Sequence, residues 1–92
     1  MTTWEQSESP ALRAELRAYL VRSYFRGSAP EEVGDDHPLL GEEGVDSMGI
    51  LELIVHLEET YGIRIAEEEV TPENFGDIGR AIEFVTAKVE AR

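Results

Sequence analysis

The 92-residue chain contains no cysteine, which excludes a disulfide framework and any thiolate metal site. No apolar run approaches the roughly 20 residues of a membrane-spanning helix, and no stretch has the layout of a signal peptide. Basic residues are scarce, with 8 Lys and Arg against 20 Asp and Glu and a net charge of -12. Phosphate backbones are bound by clustered Lys and Arg, so nucleic acid is a poor partner class. These absences read as a cytoplasmic globular domain without membrane contact. At 41% hydrophobic residues, one small core is possible if nearly every element contributes an apolar stripe.

The charge is placed unevenly. Residues 1 to 26 carry Glu5, Glu8 and Glu15 against Arg13, Arg17, Arg22 and Arg26, whereas residues 27 to 79 carry 15 acidic groups against Arg64 alone. An acidic field serves solubility, and on one face it also serves docking to basic partners.

Residues 1 to 8 show no periodicity and are expected to be a flexible N-terminus, with a single domain over 9–90. Ser9-Pro10 reads as an N-cap followed by a first-turn proline. Leu12, Leu16, Tyr19, Leu20 and Tyr24 follow at helical spacing, and Gly27 stops the helix. Gly27, Pro30, Gly34, Pro38, Gly41 and Gly44 then exclude a regular element and predict a long loop. Leu39, Leu40 and Val45 are its expected anchors. The second helix spans Ser47 to Tyr61, stopped by Gly62. Ile63, Ile65 and Val70 anchor the next connection. Thr71-Pro72 opens a short third helix before Gly76. Asp77 caps a fourth, on which Ile78, Ala81, Ile82, Val85 and Val89 form one stripe. No strand alternation is present. The expectation is an all-α fold, a small four-helix bundle with a short third helix.

On the second helix, Ile50, Leu53, Ile54, Leu57 and Tyr61 fall on one arc at about 100° per residue. Met48, Glu52, Val55, His56 and Glu59 cluster on the opposite side, and Leu51 lies between the arcs, placed to pack against the short helix. Exposed Met48 and Val55 framed by Glu52, Glu58 and Glu59 have the layout of an interface with an apolar centre and a charged rim.

Asp46 and Ser47 stand where this helix starts, and the plain reading is a cap. A catalytic serine would need a base and an orienting acid. The candidates are His37, in the loop before Pro38, and His56, read as a solvated surface residue beside Glu52 and Glu59. No Gly-x-Ser-x-Gly elbow surrounds Ser47. The other chemical use of such a serine is as an attachment point. Unpaired N–H groups and the positive end of the helix dipole would favour a phosphodiester there.

"GVDSMGILELIVHLEETYGIRIAEEEV", with the preceding "HPLLGEEG" and the later "TPENFGDIGRAIEFV", resembles the acyl and peptidyl carrier protein family. The resemblance runs from the first helix to the fourth and implies a discrete, non-catalytic carrier. In that family the serine of an Asp-Ser-Leu motif bears covalent 4'-phosphopantetheine from coenzyme A. The matching residue is Ser47, flanked by Asp46 and Met48. Met48, Glu52, Val55, His56, Glu58 and Glu59 match the family's recognition face. The implied partners are a phosphopantetheinyl transferase and acyltransferase, adenylating or condensing enzymes with basic docking patches.

Met48 for leucine is nearly volume-neutral. Gly49 stands where fatty-acid carriers often have an acidic or polar residue, at a helix cost of roughly 0.5–1 kcal/mol relative to Ala. It leans the reading towards polyketide or nonribosomal pathways over fatty-acid synthesis. Glu67-Glu68-Glu69 matches the acidic entry to the third helix. An unmodified acidic adaptor remains the alternative of another class. A calcium loop is excluded because "DDHPLLGEEGVDS" lacks the alternate-ligand spacing of an EF-hand. Tyr19, Tyr24, Tyr61, Phe75 and Phe84 read as ordinary core, or as walls of a cavity for cargo. The small apolar exposure of the second helix predicts a monomer.

Overall fold

A computed structural model describes residues 3–25, 27, 29–40 and 45–91, the side chains of 3–10 and 30 excepted. Four helices follow in the order α1 (Thr3–Tyr24), α2 (Ser47–Tyr61), α3 (Pro72–Phe75) and α4 (Ile78–Ala91). Single 3-10 turns stand at Pro30–Glu32 and Glu67–Glu69. The expected all-α bundle is what the chain forms.

α1 starts at Thr3, not at Ser9. The good helix formers Glu5, Gln6 and Glu8 carry it, and it passes through Pro10, whose missing N–H leaves a carbonyl of the preceding turn unpaired within the helix. Residues 3 to 8, expected to be flexible and outside any element, therefore lie inside α1. Met1 and Thr2 fall outside the described residues, as do Gly41 and Gly44 of the loop.

The core gathers Leu12, Leu16, Leu20 and Val21 of α1, Ile50, Leu53 and Leu57 of α2, and the whole predicted stripe of α4. Val21 was not part of the expected stripe, and Tyr19 and Tyr24, which were, are only half-buried. α3 has four residues, too few to be stable alone. It holds because Thr71 caps it, accepting from the Asn74 N–H at 3.3 Å, and because Phe75 is fully buried. That burial contributes about 2–3 kcal/mol.

The long loop is sewn to α4. The N-terminal amides of a helix lack partners within it. Here Ile78 N–H donates to His37 O at 3.1 Å and Gly79 N–H to Asp35 O at 2.8 Å. Arg80 N–H donates to Asp77 Oδ1 at 2.8 Å, the predicted cap. Leu39 N–H returns to Gly76 O at 2.9 Å. From α1, Arg17 donates to Val33 O at 2.5 Å and pairs with Asp35. Leu39 and Val45 are buried and Leu40 is half-buried. Val45 N–H donates to Leu39 O at 2.7 Å, closing the last part of the loop just before Asp46.

Candidate functional site

Ser47 is the first residue of α2 and is exposed. Asp46 before it is extended and accepts the Gly49 N–H on Oδ1 at 2.8 Å. Its carbonyl takes the Ile50 N–H at 2.9 Å. The N-cap expected from the sequence is therefore in place. The N–H groups of Ser47 and Met48 have no acceptor among the described residues, and the first turn of α2 carries no acidic side chain. A primary hydroxyl in solvent, beside free amides at the positive end of a helix, fits a phosphodiester.

Behind Ser47 the packing is tight. A Cβ on Gly49 would lie 2.2 Å from Val45 Cγ1, 3.3 Å from Asp46 Oδ1 and 3.5 Å from Tyr24 Cε1. Glycine at 49 thus lets the buried loop anchor Val45 seat against the first turn of α2. That packing gives the glycine at 49 a structural reason beside its weak helix propensity. Tyr24 closes the same corner, its hydroxyl donating to Gly49 O at 3.2 Å. Burial first, then Tyr19 and the Glu52 carboxylate, push the Tyr24 phenol well above its ordinary range.

The outward ridge of α2 is apolar at three positions: Met48 is 67%, Leu51 61% and Val55 51% exposed. Met48 and Val55 were expected there. Leu51 was expected against the short helix and instead joins them, one helical turn from each. The i, i+3, i+7 spacing from Met48 was the signal that could have found it. Glu52 and Glu59 are exposed along this ridge.

Two other predicted recognition residues are engaged inside the molecule. Glu58 is half-buried and its Oε2 accepts the Ile65 N–H at 2.9 Å, tying the segment after α2 back to the helix. His56 is half-buried, not freely solvated. Its ring stacks on Tyr19 of α1 with centroids 3.8 Å apart and planes 3° from parallel. The reason is geometric: His56 points to the flank of α2 that faces α1, where Tyr19 stands opposite. His37, the other histidine, packs edge-on against Phe25 at 4.4 Å, in the loop and away from α2.

The concavity between α1, the loop and α4, about 460 Å³ in volume, receives no residue from α2. Its arginines face carboxylates: Arg17 pairs with Asp35, Arg80 with Asp77 at 3.6 Å, and Arg13 with Glu83 at 3.8 Å. Beyond the site, among the described residues no helix is long and apolar enough to cross a membrane.

Comparison with known proteins agrees with this geometry. The family described as "Phosphopantetheine attachment site" matches residues 26–82, more than half of the chain. The anthracycline acyl carrier protein DauA of Streptomyces sp. (strain C5) is 35% identical over 57 residues, 62% of this chain and 68% of the relative. An acyl carrier protein of Renibacterium salmoninarum is 33% identical over 61 residues, 66% of this chain and 73% of the relative. The polyketide-8 synthase acyl carrier protein 2 of Streptomyces avermitilis is 38% identical over 58 residues, 63% of this chain and 64% of the relative. No solved structure matches the chain significantly. With its four helices and its capped, exposed serine, the chain belongs to the phosphopantetheine attachment-site family of acyl carrier proteins, non-catalytic carriers whose cofactor is covalent 4'-phosphopantetheine.

Proposed function

We propose that Ser47 bears the 4'-phosphopantetheine arm and that the chain delivers an acyl or aminoacyl thioester to successive enzymes of polyketide or related natural-product biosynthesis in the cytoplasm. The observation that carries the reading is the position of Ser47: exposed, first in α2, behind the Asp46 cap and a loop pinned to α4. In attachment, the Ser47 hydroxyl oxygen forms a bond to the pantetheine-bearing phosphorus of coenzyme A. The bond from that phosphorus to the adenosine 3',5'-bisphosphate side breaks, and the hydroxyl proton is released to solvent through the transferase. When bound, the arm supplies a terminal thiol that holds cargo as a thioester.

The rest of the site presents the serine to partners. Asp46 fixes the start of α2, Gly49 and Val45 brace it, and Met48, Leu51 and Val55 form an apolar ridge edged by Glu52 and Glu59. Arg and Lys on a transferase, an acyltransferase, an adenylating or a condensing enzyme complement that edge, giving fast and weak encounters. Weak docking suits a carrier that visits several enzymes in turn. The polyketide reading is supported by similarity to carriers named for anthracycline and polyketide assembly.

Peptide mapping tests the attachment residue. Trypsin cuts after Arg26 and Arg64, so Ser47 falls in one peptide, 27–64, together with Ser28 and Thr60. After reaction with coenzyme A and a broad-specificity phosphopantetheinyl transferase, fragmentation should place the arm on Ser47. An arm on Ser28 or Thr60, or on another peptide, would refute the assignment.

A further inference from the structure

The seam between α1 and α2 holds an aromatic strip that starts beside the attachment residue. Tyr24 is bonded through its hydroxyl to Gly49 O, two residues after Ser47. Tyr19 meets Tyr24 edge-on, with centroids 6.3 Å apart at 85°, and then stacks on His56 at 3.8 Å. All three rings are half-buried, so each keeps part of its surface open. His56 lies nine residues beyond Ser47, about 13 Å along the axis of α2, a span that an extended pantetheine arm covers.

Among the described residues, the core between the helices is closely packed. The space between α1, α2 and α4, walled by Leu16, Leu53, Leu57 and Val85, measures about 10 Å³, no more than one water occupies. The other flank of α2 presents aliphatic Leu51 and Ile54. Aromatic rings favour planar, polarisable partners in stacked or edge-on contact, whereas a saturated chain gains more from an aliphatic surface.

Resting on the reading of Ser47 as the attachment residue, we propose that Tyr24, Tyr19 and His56 form an external rest for the cargo, selective for planar, unsaturated acyl groups over saturated chains. Such cargo lies along the α1–α2 seam between enzyme visits. Tyr19 and His56 are binding residues of the carrier, distinct from the Met48–Leu51–Val55 ridge that meets partner enzymes. The ridge thus stays open while the cargo is parked.

The test loads Ser47 with amide-linked 2-naphthoyl or octanoyl analogues of coenzyme A through a broad-specificity transferase. Intact mass establishes loading, and proton–carbon correlation spectra then follow the ring and methyl signals. The naphthoyl form should shift the ring signals of Tyr19, Tyr24 and His56 upfield, and the octanoyl form should leave them in place. Tyr19→Leu should abolish the naphthoyl-induced shift at His56 while loading persists. A loaded naphthoyl form with unmoved rings, equal shifts with both analogues, or shifts confined to Leu51, Ile54 or the core methyls would overturn the proposal while leaving Ser47 as the attachment residue. No mass gain at all would remove both.

Discussion

Gly49 and Val45 approach so closely that a methyl group on Gly49 would sit 2.2 Å from Val45 Cγ1. One residue is in the first turn of the helix that presents Ser47, and the other is the last buried anchor of the loop that leads to it. Two effects oppose each other in Gly49→Ala. Helix propensity favours alanine by roughly 0.5–1 kcal/mol, and overpacking costs about 1–3 kcal/mol. The clash wins here because Val45 is buried and its backbone N–H is bonded to Leu39 O at 2.7 Å. Gly49→Ala should therefore lower stability by about 1 kcal/mol, read from the urea midpoint. Adding Val45→Ala should relieve the clash, so the pair is less destabilised than the two single losses summed. A stabilised Gly49→Ala would show that close approach is not what keeps glycine at 49.

The cap can be tested alone. Asp46→Ala removes the acceptor of the Gly49 N–H and should cost about 1 kcal/mol, while Asp46→Asn should retain most of the stability. Loading of Ser47 should slow in the alanine variant, because the first turn that holds the serine frays.

The apolar ridge predicts a separation of stability from docking. Leu51 and Val55 are more than half exposed, so Leu51→Ser and Val55→Ser should change stability by no more than about 0.5 kcal/mol. Each should lower kcat/KM for transferase loading about tenfold, the equivalent of about 1.4 kcal/mol. Added salt should slow loading of the wild type as it screens the carboxylate edge. Unchanged loading in both variants would place the docking surface elsewhere.

A pH effect is expected at the far end of α2. Burial, and then the hydrogen bond that Tyr61 donates to Glu15 at 3.0 Å, push the Tyr61 phenol up to about 12 from 10.0. The folded state therefore favours the neutral phenol more than the unfolded chain does. That contribution is complete below pH 10 and is lost as pH rises from 10 to about 12. Phenolate absorbance of the folded protein should show a late-ionising tyrosine that Tyr61→Phe deletes, and Glu15→Gln should move it back towards its ordinary value. A Tyr61 that ionises at its ordinary pH would contradict the assigned contact.

What the sequence disclosed depended on whether the signal was local. Asp46 before Ser47, Gly62 after Tyr61, Thr71-Pro72 and Asp77 are caps and stops set by nearest neighbours, and all of them operate as read. The α4 stripe was legible because a 3.6-residue period has one solution when five positions agree. The errors lie where two segments meet. His56 looks freely solvated on a wheel of α2 alone, and only Tyr19, far away in sequence, covers one face of its ring. Glu58 looks like one more surface carboxylate until the Ile65 amide arrives at 2.9 Å. Gly49 looks like a weak helix residue until Val45 is placed beside it. Leu51 failed in the opposite direction, since its expected cover on the short helix does not reach it. The start of α1 was misplaced because Ser9-Pro10 matches a cap locally, while nothing in that dipeptide reports the helix formers before it.

Intact mass decides whether Ser47 is the attachment residue. Wild type and Ser47→Ala are incubated side by side with coenzyme A and a broad-specificity phosphopantetheinyl transferase, with an established carrier modified in the same tube as control. The wild type should gain one phosphopantetheine and a folded Ser47→Ala none. A gain on both proteins, or on neither while the control is modified, would contradict that assignment.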